Sequence, residues 1–370
     1  MKAFVVSHSS VVDRFRRKWT ELARRPDIDL TVLVPSAWPE GGQPVRAVAD
    51  DATPYRIIQS RPVFRGVHAL HFYPLLPYYL ARHRPDLLHI EEEPWNVVTV
   101  QAAMLGKLLG ARVVFFTWEN VNRSYPFPLS VLLRLVLRLS DGAIAGSETA
   151  RDLLRLRGFD KSIHVLPQYG VDAPSRCPAA STHGRFVVGF AGRLVPQKGL
   201  DTLLDALVGL PPTVHLLVVG DGPHRAALVE RARRLGLEGR VEMAGAVSHS
   251  EMAPYLSRMS VLVLPSLTTA RWKEQFGRVL IEAMALGVPV VGSDSGEIPW
   301  VIGDAGLVFP EGNSTLLRDR LRTLFQDKAL SRELAQRGRA RVASYFTNDV
   351  LAEQTHAIYG DVTGAGRRAS

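Results

Sequence analysis

Cysteine is nearly absent from this chain of 370 residues. Its one cysteine, Cys177, excludes intramolecular disulfides and cysteine-rich metal sites and is consistent with a reducing compartment. Long uncharged apolar runs are also missing, so no segment is predicted to cross a bilayer. The first apolar run, residues 3–6, is too short for a signal-peptide core and predicts a buried strand. We therefore expect a cytoplasmic protein, with or without peripheral contact to the inner face of a membrane.

The chain also lacks repeats, low-complexity tracts and any basic array interleaved with aromatic residues, so a nucleic-acid partner is not expected. Lysine and arginine outnumber aspartate and glutamate by 45 to 36, which gives a net charge of +9. Such an excess suits anionic partners such as nucleotides or a phospholipid surface. The length exceeds that of one ordinary core, so two domains are predicted.

Short apolar runs alternate with amphipathic stretches along the whole chain, which predicts α/β domains with parallel sheets. Strands are predicted over 3–7, 30–35, 87–90, 112–117, 142–146, 164–166, 187–191, 215–219, 241–244, 261–264, 288–292 and 306–308. Helices are predicted over 200–208, 225–235, 277–286 and 314–325. Residues 173–184 have linker composition, so we predict domains over 1–180 and 181–345, then a terminal helix and tail over 346–370. Two doubly wound, Rossmann-like domains would face each other across a cleft, with ligands at the carboxyl ends of the strands.

Two carboxylates lie eight positions apart around the predicted start of a helix at Gly277. Glu282 is predicted to project from an apolar face, where a carboxylate needs a partner. That face comprises Val279, Glu282, Ala283 and Leu286. Glu274 precedes the helix, where free backbone N–H groups and the helix dipole favour an anion. A nucleotide diphosphate sugar would supply an anion and hydroxyl groups at this spacing. The alternative is a solvent-facing Glu274 and a Glu282 paired with a neighbouring arginine.

Two further loops follow predicted strands in the second half. Arg193 and Lys198 lie after the strand at 187–191 and offer cations for phosphate oxygens, although an exposed basic loop would look the same. Gly220 and Gly222 follow the strand at 215–219, with Glu242 further along, and half-match a dinucleotide fingerprint. The third glycine of that fingerprint is absent, so we interpret the segment as a tight turn that a nucleotide can approach.

Together these segments resemble the retaining GT-B glycosyltransferases of the group 1, or family 4, type. The matching pieces are Gly192-Arg193, Lys198-Gly199, Val219-Gly220-Asp221-Gly222-Pro223, Leu264-Pro265-Ser266, Glu274, Glu282-Ala283-Met284-Ala285, Gly287 and Ser295-Gly296-Glu297-Ile298-Pro299. The resemblance covers residues 187–310 closely and residues 1–180 more loosely. It implies a hexosyl-type transferase that serves polysaccharide biosynthesis or a related pathway, with an acceptor-side first domain and a donor-binding second domain.

The resemblance also implies roles for single residues. Arg193 and Lys198 would bind the donor diphosphate, Glu274 the donor sugar and Glu282 the ribose. Further donor contacts would come from Gly192, Gly220, Gly222, Phe276, Gly277, Arg278 and Val279. No metal and no cofactor are expected, because the two cations replace a divalent ion and the nucleotide diphosphate sugar is a co-substrate. The acceptor would be a glycan, a lipid-linked sugar or a small molecule.

The first half departs from the family pattern. The loop after the first strand is Ser7-His8-Ser9-Ser10 instead of a glycine-rich turn, and Trp118 stands where relatives often have a histidine. The candidate acceptor-side residues are His89, Trp118, Glu119 and Asn120. For His89, a packed strand-end residue is the favoured interpretation over a base. The run 91–93 could cap the next helix, which is the favoured interpretation for at least two of its members, or line the acceptor site.

Three functional hypotheses remain open at this stage. The first is sugar transfer from a nucleotide sugar. The second is a sugar-nucleotide epimerase or NAD-dependent oxidoreductase, based on the turn at Gly220. The third is a non-catalytic nucleotide-sugar-binding subunit, based on Trp118. Separately, the apolar, arginine-bearing segments 128–139 and 61–79 suit an anionic membrane surface, although a core helix whose arginine heads reach solvent fits the first of them equally.

Overall fold

The computed structural model describes residues 1–40, 43–48, 53–172 and 185–364. Contacts divide the protein into two compact units. Unit 1 is Met1–Gly170 together with the C-terminal segment that begins at Asn348, and unit 2 is Val171–Thr347. The predicted boundary between 180 and 181 lies outside the described residues and stays a prediction. The terminal helix belongs to unit 1, whereas the sequence set it apart as a separate segment.

Unit 1 contains a seven-stranded, all-parallel sheet of order β5-β2-β1-β6-β7-β8-β9. Its strands are β1 Lys2–Val6, β2 Asp29–Pro35, β5 Arg56–Ser60, β6 Leu87–Ile90, β7 Arg112–Thr117, β8 Gly142–Ala145 and β9 Ser162–Val165, and the hairpin strands are β3 Ala37–Glu40 and β4 Gln43–Arg46. Its helices are α1 Arg17–Ala23, α2 Leu76–His83, α3 Val97–Leu108, α4 Leu129–Leu139, α5 Glu148–Leu156 and α13 Asn348–Thr363.

Unit 2 contains a six-stranded, all-parallel sheet of order β12-β11-β10-β13-β14-β15. Its strands are β10 Phe186–Ala191, β11 Val214–Val219, β12 Val241–Gly245, β13 Val261–Leu264, β14 Val290–Ser293 and β15 Gly306–Phe309. Its helices are α6 Leu200–Val208, α7 Arg225–Arg234, α8 His249–Ser257, α9 Arg278–Ala285, α10 Ile298–Ile302, α11 Ser314–Gln326 and α12 Lys328–Tyr345.

Every predicted strand and helix is present within a few residues, and the prediction of two Rossmann-like α/β domains is confirmed. The sequence missed the hairpin β3–β4 and the strand β5. These segments carry proline and charged residues and are less apolar than the strands buried on both faces.

The core of unit 1 lies on both faces of its sheet, because successive strand residues point to opposite sides. Phe4 and Val6 of β1 join one apolar cluster, whereas Ala3 and Val5 join another. The second cluster includes Tyr359 of α13, which explains why the terminal helix belongs to this unit. In the described part of the chain, no helix combines the length and the apolarity needed to cross a membrane.

A carboxylate at the start of β8 ties together three elements of unit 1. Asp141 accepts hydrogen bonds from the backbone N–H of Val113 at 2.8 Å, from Lys107 at 2.9 Å and from Arg112 at 3.0 Å. Burial acts to raise the pKa of Asp141, but these three donors outweigh it and hold the pKa below its ordinary value. The ionised form is therefore the one that the fold favours.

Candidate functional site

The predicted donor residues lie in loops that follow the central strands of unit 2. The chain runs from β10 outward to β11 and β12, then returns to the other side of β10 with β13. The gap between β10 and β13 is therefore a topological switch point, where ligands bind at the carboxyl ends of the strands in open α/β sheets. Lys198 follows β10 and Glu274 follows β13, so the two loops that flank this point carry them.

Lys198 and Glu274 form an ion pair at this position. The Lys198 ammonium lies 2.6 Å from Glu274 Oε2, and the Ser266 hydroxyl donates to the same oxygen at 2.7 Å. Glu274 is 7% exposed, so the alternative of a solvent-facing carboxylate is wrong. The Lys198 ammonium also lies 5.2 Å from the centre of the Trp272 ring. The structure thus joins two residues that lie 76 positions apart in sequence.

Arg193 differs from Lys198 in its surroundings. Its side chain is exposed, and it forms no ion pair with the residues that the structure describes. An exposed guanidinium in the same loop as Lys198 is available to an anionic ligand, which it can bind through two parallel N–H groups.

Close backbone packing explains the glycines at 220 and 222. A Cβ atom on Gly220 would lie 1.9 Å from the carbonyl oxygen of Gly192, and one on Gly222 would lie 2.3 Å from that of Leu194. The N–H of Leu194 also donates to the carbonyl of Asp221. This packing explains why glycine stands at both positions, and the expectation that a nucleotide approaches the turn stays a prediction.

Helix α9 begins after Gly277, whose φ of +77° favours glycine. Arg278 and Val279 provide its first N–H groups, which lack partners within the helix. Glu282 pairs with Arg278 at 3.0 Å, as the alternative interpretation expected. The predicted apolar face of α9 was wrong in part. Val279 and Glu282 are only half-buried, and other positions of the helix enter the core. The buried residues are Leu280, Ile281, Ala283, Met284 and Ala285.

Phe276 is a core residue. Its ring lies 5.7 Å from that of Phe346 and 6.5 Å from that of Trp300, and it is 6% exposed. Any contact between Phe276 and a donor would therefore involve its backbone.

Glu242, the acid that suggested a dinucleotide-binding site in the sequence, does not lie at the carboxyl end of its strand. Glu242 is the second residue of β12 and pairs with Leu217 in the sheet, towards the amino end of the strand. Its carboxylate is exposed and lies 2.7 Å from Arg258. This position does not fit a ribose-binding acid, which follows the carboxyl end of its strand.

His89 packs within unit 1. It is fully buried in β6, and its Nδ1 lies 2.8 Å from the Tyr359 hydroxyl. Burial lowers the pKa of His89 well below its ordinary value, and the charge of Lys18 lowers it further. These surroundings match the strand-packing alternative rather than a base that contacts an acceptor.

Trp118 follows the carboxyl end of β7, and three contacts fix its position. Its Nε1 donates to Gln168 at 2.8 Å, and its backbone N–H donates to Glu93 at 2.9 Å. Its ring lies over Gly146, where a Cβ atom would be 2.2 Å away. The side chain is half-buried, so part of the ring is accessible beside the strand ends.

The two residues after Trp118 are buried. Glu119 accepts two hydrogen bonds from Arg157, at 2.5 and 3.0 Å, and one from the Tyr125 hydroxyl. Asn120 is 7% exposed. Glu119 therefore forms a buried ion pair. Trp118 is the more accessible of the candidate acceptor-side residues in the loop after β7.

The three acids after β6 have three different partners, and none caps helix α3, whose N-cap is Asn96. Glu91 forms a buried ion pair with Lys18 at 2.7 Å. Glu92 contacts His8, and although burial acts to raise its pKa, the charges of His8 and His71 hold that pKa below its ordinary range. Burial raises the pKa of Glu93 to about 7 against the hydrogen bonds from Thr117 and Trp118. The capping interpretation is therefore wrong for the side chains of all three.

Sequence reasoning missed three participants in these clusters. Ser266 was noted as part of a motif but not as a hydrogen-bond donor to Glu274, and Arg157, the residue after α5, gave no signal in sequence. His71 lies in an aromatic segment, and nothing in its local sequence linked it to Glu92. Ser266 meets Glu274 within the single loop after β13, whereas Arg157 and His71 meet partners that are distant in sequence.

The two parallel α/β units, with a candidate site at the strand ends of the second, define the GT-B class of fold. Similar folds occur in the HepE protein of Anabaena in complex with UDP, with a TM-score of 0.73, 20% identity, and 97% and 99% of the two chains covered. A sucrose-phosphate synthase from Thermosynechococcus elongatus gives a TM-score of 0.73 at 21% identity, covering 99% of this chain and 100% of that chain.

Two family models match the sequence over most of its length. The model of glycosyl transferases group 1 matches residues 176–341, and that of the glycosyl transferase 4-like domain matches residues 11–168. The chain belongs to the group 1, family 4 type of glycosyltransferases, which confirms the resemblance predicted from its motifs.

Two relatives show how far the similarity extends. An N-acetyl-alpha-D-glucosaminyl L-malate synthase of Bacillus anthracis is 36% identical over 149 residues, or 40% of this chain and 37% of that protein. A phosphatidyl-myo-inositol mannosyltransferase of Mycobacterium leprae is 32% identical over 236 residues, or 61% of each protein. The matches thus span roughly one to two thirds of these relatives' lengths.

Proposed function

We propose that this protein transfers a hexosyl group from a nucleotide diphosphate sugar to a glycan, lipid-linked or small-molecule acceptor, with retention at the anomeric carbon. The observation that carries the proposal is the Lys198–Glu274 pair at the switch point of the unit 2 sheet, together with an exposed Arg193 in the same loop as Lys198. The similar HepE fold has been solved with UDP-glucose, and the Mycobacterium leprae relative is named a mannosyltransferase. The first supports a sugar nucleotide as the donor, and the second supports glycosyl transfer as the reaction.

In the proposed complex, each part of the donor contacts a different set of residues. The diphosphate contacts Arg193, Lys198 and the first N–H groups of α9, where the helix dipole favours an anion. The carboxylate of Glu274 accepts from hydroxyl groups of the sugar, and Glu282 accepts from those of the ribose. About 1.5 Å of helical rise per residue places Glu282 roughly 7–8 Å along the axis from Gly277, close to the separation of a diphosphate from its ribose.

The proposed reaction exchanges one bond for another on a single face of the sugar. The acceptor oxygen bonds to the anomeric carbon as the bond to the diphosphate breaks, and a donor phosphate oxygen takes the acceptor's proton. Arg193 and Lys198 stabilise the negative charge that develops on the departing diphosphate. Because these two side chains supply the positive charge that a divalent ion would otherwise provide, the transfer is proposed to need no metal at the diphosphate and no further cofactor.

Nucleotide-dependent stabilisation tests this proposal. The melting temperature of the protein is measured with UDP, GDP, ADP and NAD, and then again for Arg193→Ala. A ligand at about 100 times its Kd adds roughly 2.7 kcal/mol of stability, which raises the melting temperature by several degrees. Arg332→Ala is the matched control, because Arg332 is an exposed arginine of α12 outside the candidate site.

We expect UDP, GDP or ADP to stabilise the wild type and the control but not Arg193→Ala. Stabilisation by NAD alone would favour the oxidoreductase hypothesis instead. A nucleotide that binds through Arg193, with no release of nucleoside diphosphate from its sugar over a broad acceptor panel, would favour the non-catalytic subunit.

We also propose that helix α4 of unit 1 contacts an anionic membrane surface. Arg134, Arg138 and Val131 of this helix are exposed, and Phe127, just before it, is 83% exposed. Basic side chains beside exposed apolar ones suit the interface of an anionic leaflet. Flotation with vesicles containing anionic lipid tests this: we expect binding that Arg134→Glu with Arg138→Glu abolishes, and unbound wild-type protein would refute it.

A further inference from the structure

Three side chains from separate segments of unit 1 converge at the switch point of its own sheet. His8 follows β1, Glu92 follows the adjacent strand β6, and His71 lies between β5 and α2. Their imidazole nitrogens and carboxylate oxygens all lie within 4.8 Å of one another. The chain leaves β1 towards β2 and β5 and returns beside β1 with β6, so this is the position where such sheets bind ligands.

The hydrogen bonding of His71 leaves one ring nitrogen unused. Its Nδ1 lies 2.9 Å from the carbonyl oxygen of His68, and because a carbonyl only accepts, that nitrogen carries the proton. Its Nε2 is buried and has no hydrogen-bond partner among the described residues. This is the arrangement of a metal-binding histidine, whose second nitrogen donates to a backbone carbonyl.

The unused nitrogen faces Glu92. His71 Nε2 lies 3.8 Å from Glu92 Oε1, beyond hydrogen-bonding distance, and neither side chain is exposed. If His71 is neutral, its Nε2 lone pair and the Glu92 oxygen face each other in a buried space and repel, and either a proton on Nε2 or a metal ion between the two atoms removes that repulsion. Glu92 is otherwise oriented by His8, whose backbone N–H and Nδ1 contact it at 2.8 and 2.7 Å.

We propose that His8, His71 and Glu92 bind one divalent transition-metal ion, for which Zn²⁺ is the best match. Two imidazoles and one carboxylate form a common zinc ligand set, whereas Mg²⁺ and Ca²⁺ prefer oxygen ligands. Tetrahedral bonds of about 2.1 Å separate two ligand atoms by roughly 3.4 Å. The observed separations of 2.7 Å from His8 and 3.8 Å from His71 to Glu92 lie on either side of that value.

The remaining coordination position would lie towards solvent. The His8 side chain is 19% exposed, whereas those of His71 and Glu92 are fully buried. The rings of Trp38 and His68 lie 5.0 and 4.8 Å from the ring of His8 and complete the surroundings. Binding replaces the proton on His8 Nδ1 with the metal and releases that proton to solvent. The ion joins three chain segments of unit 1 and takes no part in the proposed contacts with the diphosphate.

Metal titration of the full-length protein tests this site. The protein is dialysed against a chelator, then titrated with ZnCl₂ by calorimetry and with CoCl₂ by visible absorption, which reports tetrahedral coordination. His71→Gln and Glu92→Gln remove buried ligands, and His8→Gln removes the partly exposed one. The matched control is His356→Gln, because His356 also contacts a carboxylate, Asp27 at 2.8 Å, but lies at an exposed position.

We expect one equivalent of Zn²⁺ to bind the wild type and to raise its melting temperature. Each ligand variant should lose more than about 100-fold in affinity, beyond the loss typical of an outer-shell partner, and the Co²⁺ absorption should disappear. His356→Gln should bind as the wild type does. Folded wild-type protein that binds no stoichiometric metal, or ligand variants that bind with unchanged affinity, would overturn the proposal. If circular dichroism shows that the buried variants do not fold, His8→Gln decides the question.

Discussion

The ion pair between Lys198 and Glu274 supports a quantitative prediction. We consider Lys198→Met, Glu274→Gln and the double variant in a double-mutant cycle, which isolates the pairwise free energy. In Lys198→Met, the carboxylate of Glu274 remains 7% exposed in its wild-type position and loses a cation at 2.6 Å. The Ser266 hydroxyl still donates to it.

Removing one partner of a buried ion pair costs roughly 3–5 kcal/mol of stability, because the other charge is left uncompensated. The remaining Ser266 hydrogen bond places Lys198→Met near the lower limit, at about 3 kcal/mol. Glu274→Gln should cost less, since Lys198 is partly exposed and its ammonium can reach water. We therefore expect a coupling free energy of about 2 kcal/mol.

The assay is hydrogen exchange of the amides in β10 and β13 over a series of urea concentrations, which reports the stability of unit 2 itself. The control cycle uses Arg258 and Glu242, which lie 2.7 Å apart but are 46% and 53% exposed. Exposed pairs contribute below about 1 kcal/mol. Equal coupling in the two cycles would refute the claim that burial at the switch point sets the strength of the Lys198–Glu274 pair.

Three further predictions follow from single positions. Gly220→Ala should cost roughly 3 kcal/mol in urea unfolding, because its Cβ would meet a carbonyl at 1.9 Å, whereas Gly239→Ala, with nothing within 4 Å, should stay within about 1 kcal/mol. Asp141→Asn should cost about 2 kcal/mol at pH 7. Because the folded-state pKa of Asp141 is lowered, the stability that its carboxylate contributes is complete above pH 3.8 and is lost as the pH falls through the folded pKa. The stabilities of wild type and variant should therefore converge in acid, and a constant difference would contradict this. Glu282→Gln should weaken nucleotide binding about tenfold in calorimetry with little change in stability, while Glu333→Gln, from another i,i+4 pair, should alter neither.

Local sequence pattern was sufficient for every strand except β3, β4 and β5, and for most loop positions of the candidate site. Buried parallel strands appear as short apolar runs, so β6, β7 and β13 could be placed to the residue. Glycine at 277 marked the start of α9, because few other residues adopt its backbone angle. Parallel connectivity then placed Lys198 and Glu274 at the same edge of a sheet.

Side-chain partners could not be predicted, because they depend on strand order and on packing across long sequence separations. His8 and Glu92 lie 84 positions apart and meet only since β1 and β6 are neighbours. The run 91–93 was interpreted chiefly as a helix cap, yet its three members contact three different partners from distant parts of the sequence. The packing of Gly220 and Gly222 against the neighbouring loop could not be predicted for the same reason.

The most direct test of the proposed function is release of nucleoside diphosphate from a panel of nucleotide sugars, with product detection by mass spectrometry. Wild-type protein should release nucleoside diphosphate and form a glycosylated product, and Glu274→Ala should lose this activity while it remains folded by circular dichroism. Unaltered transfer by Glu274→Ala would contradict the account, because the carboxylate at the switch point would then have no role in the reaction.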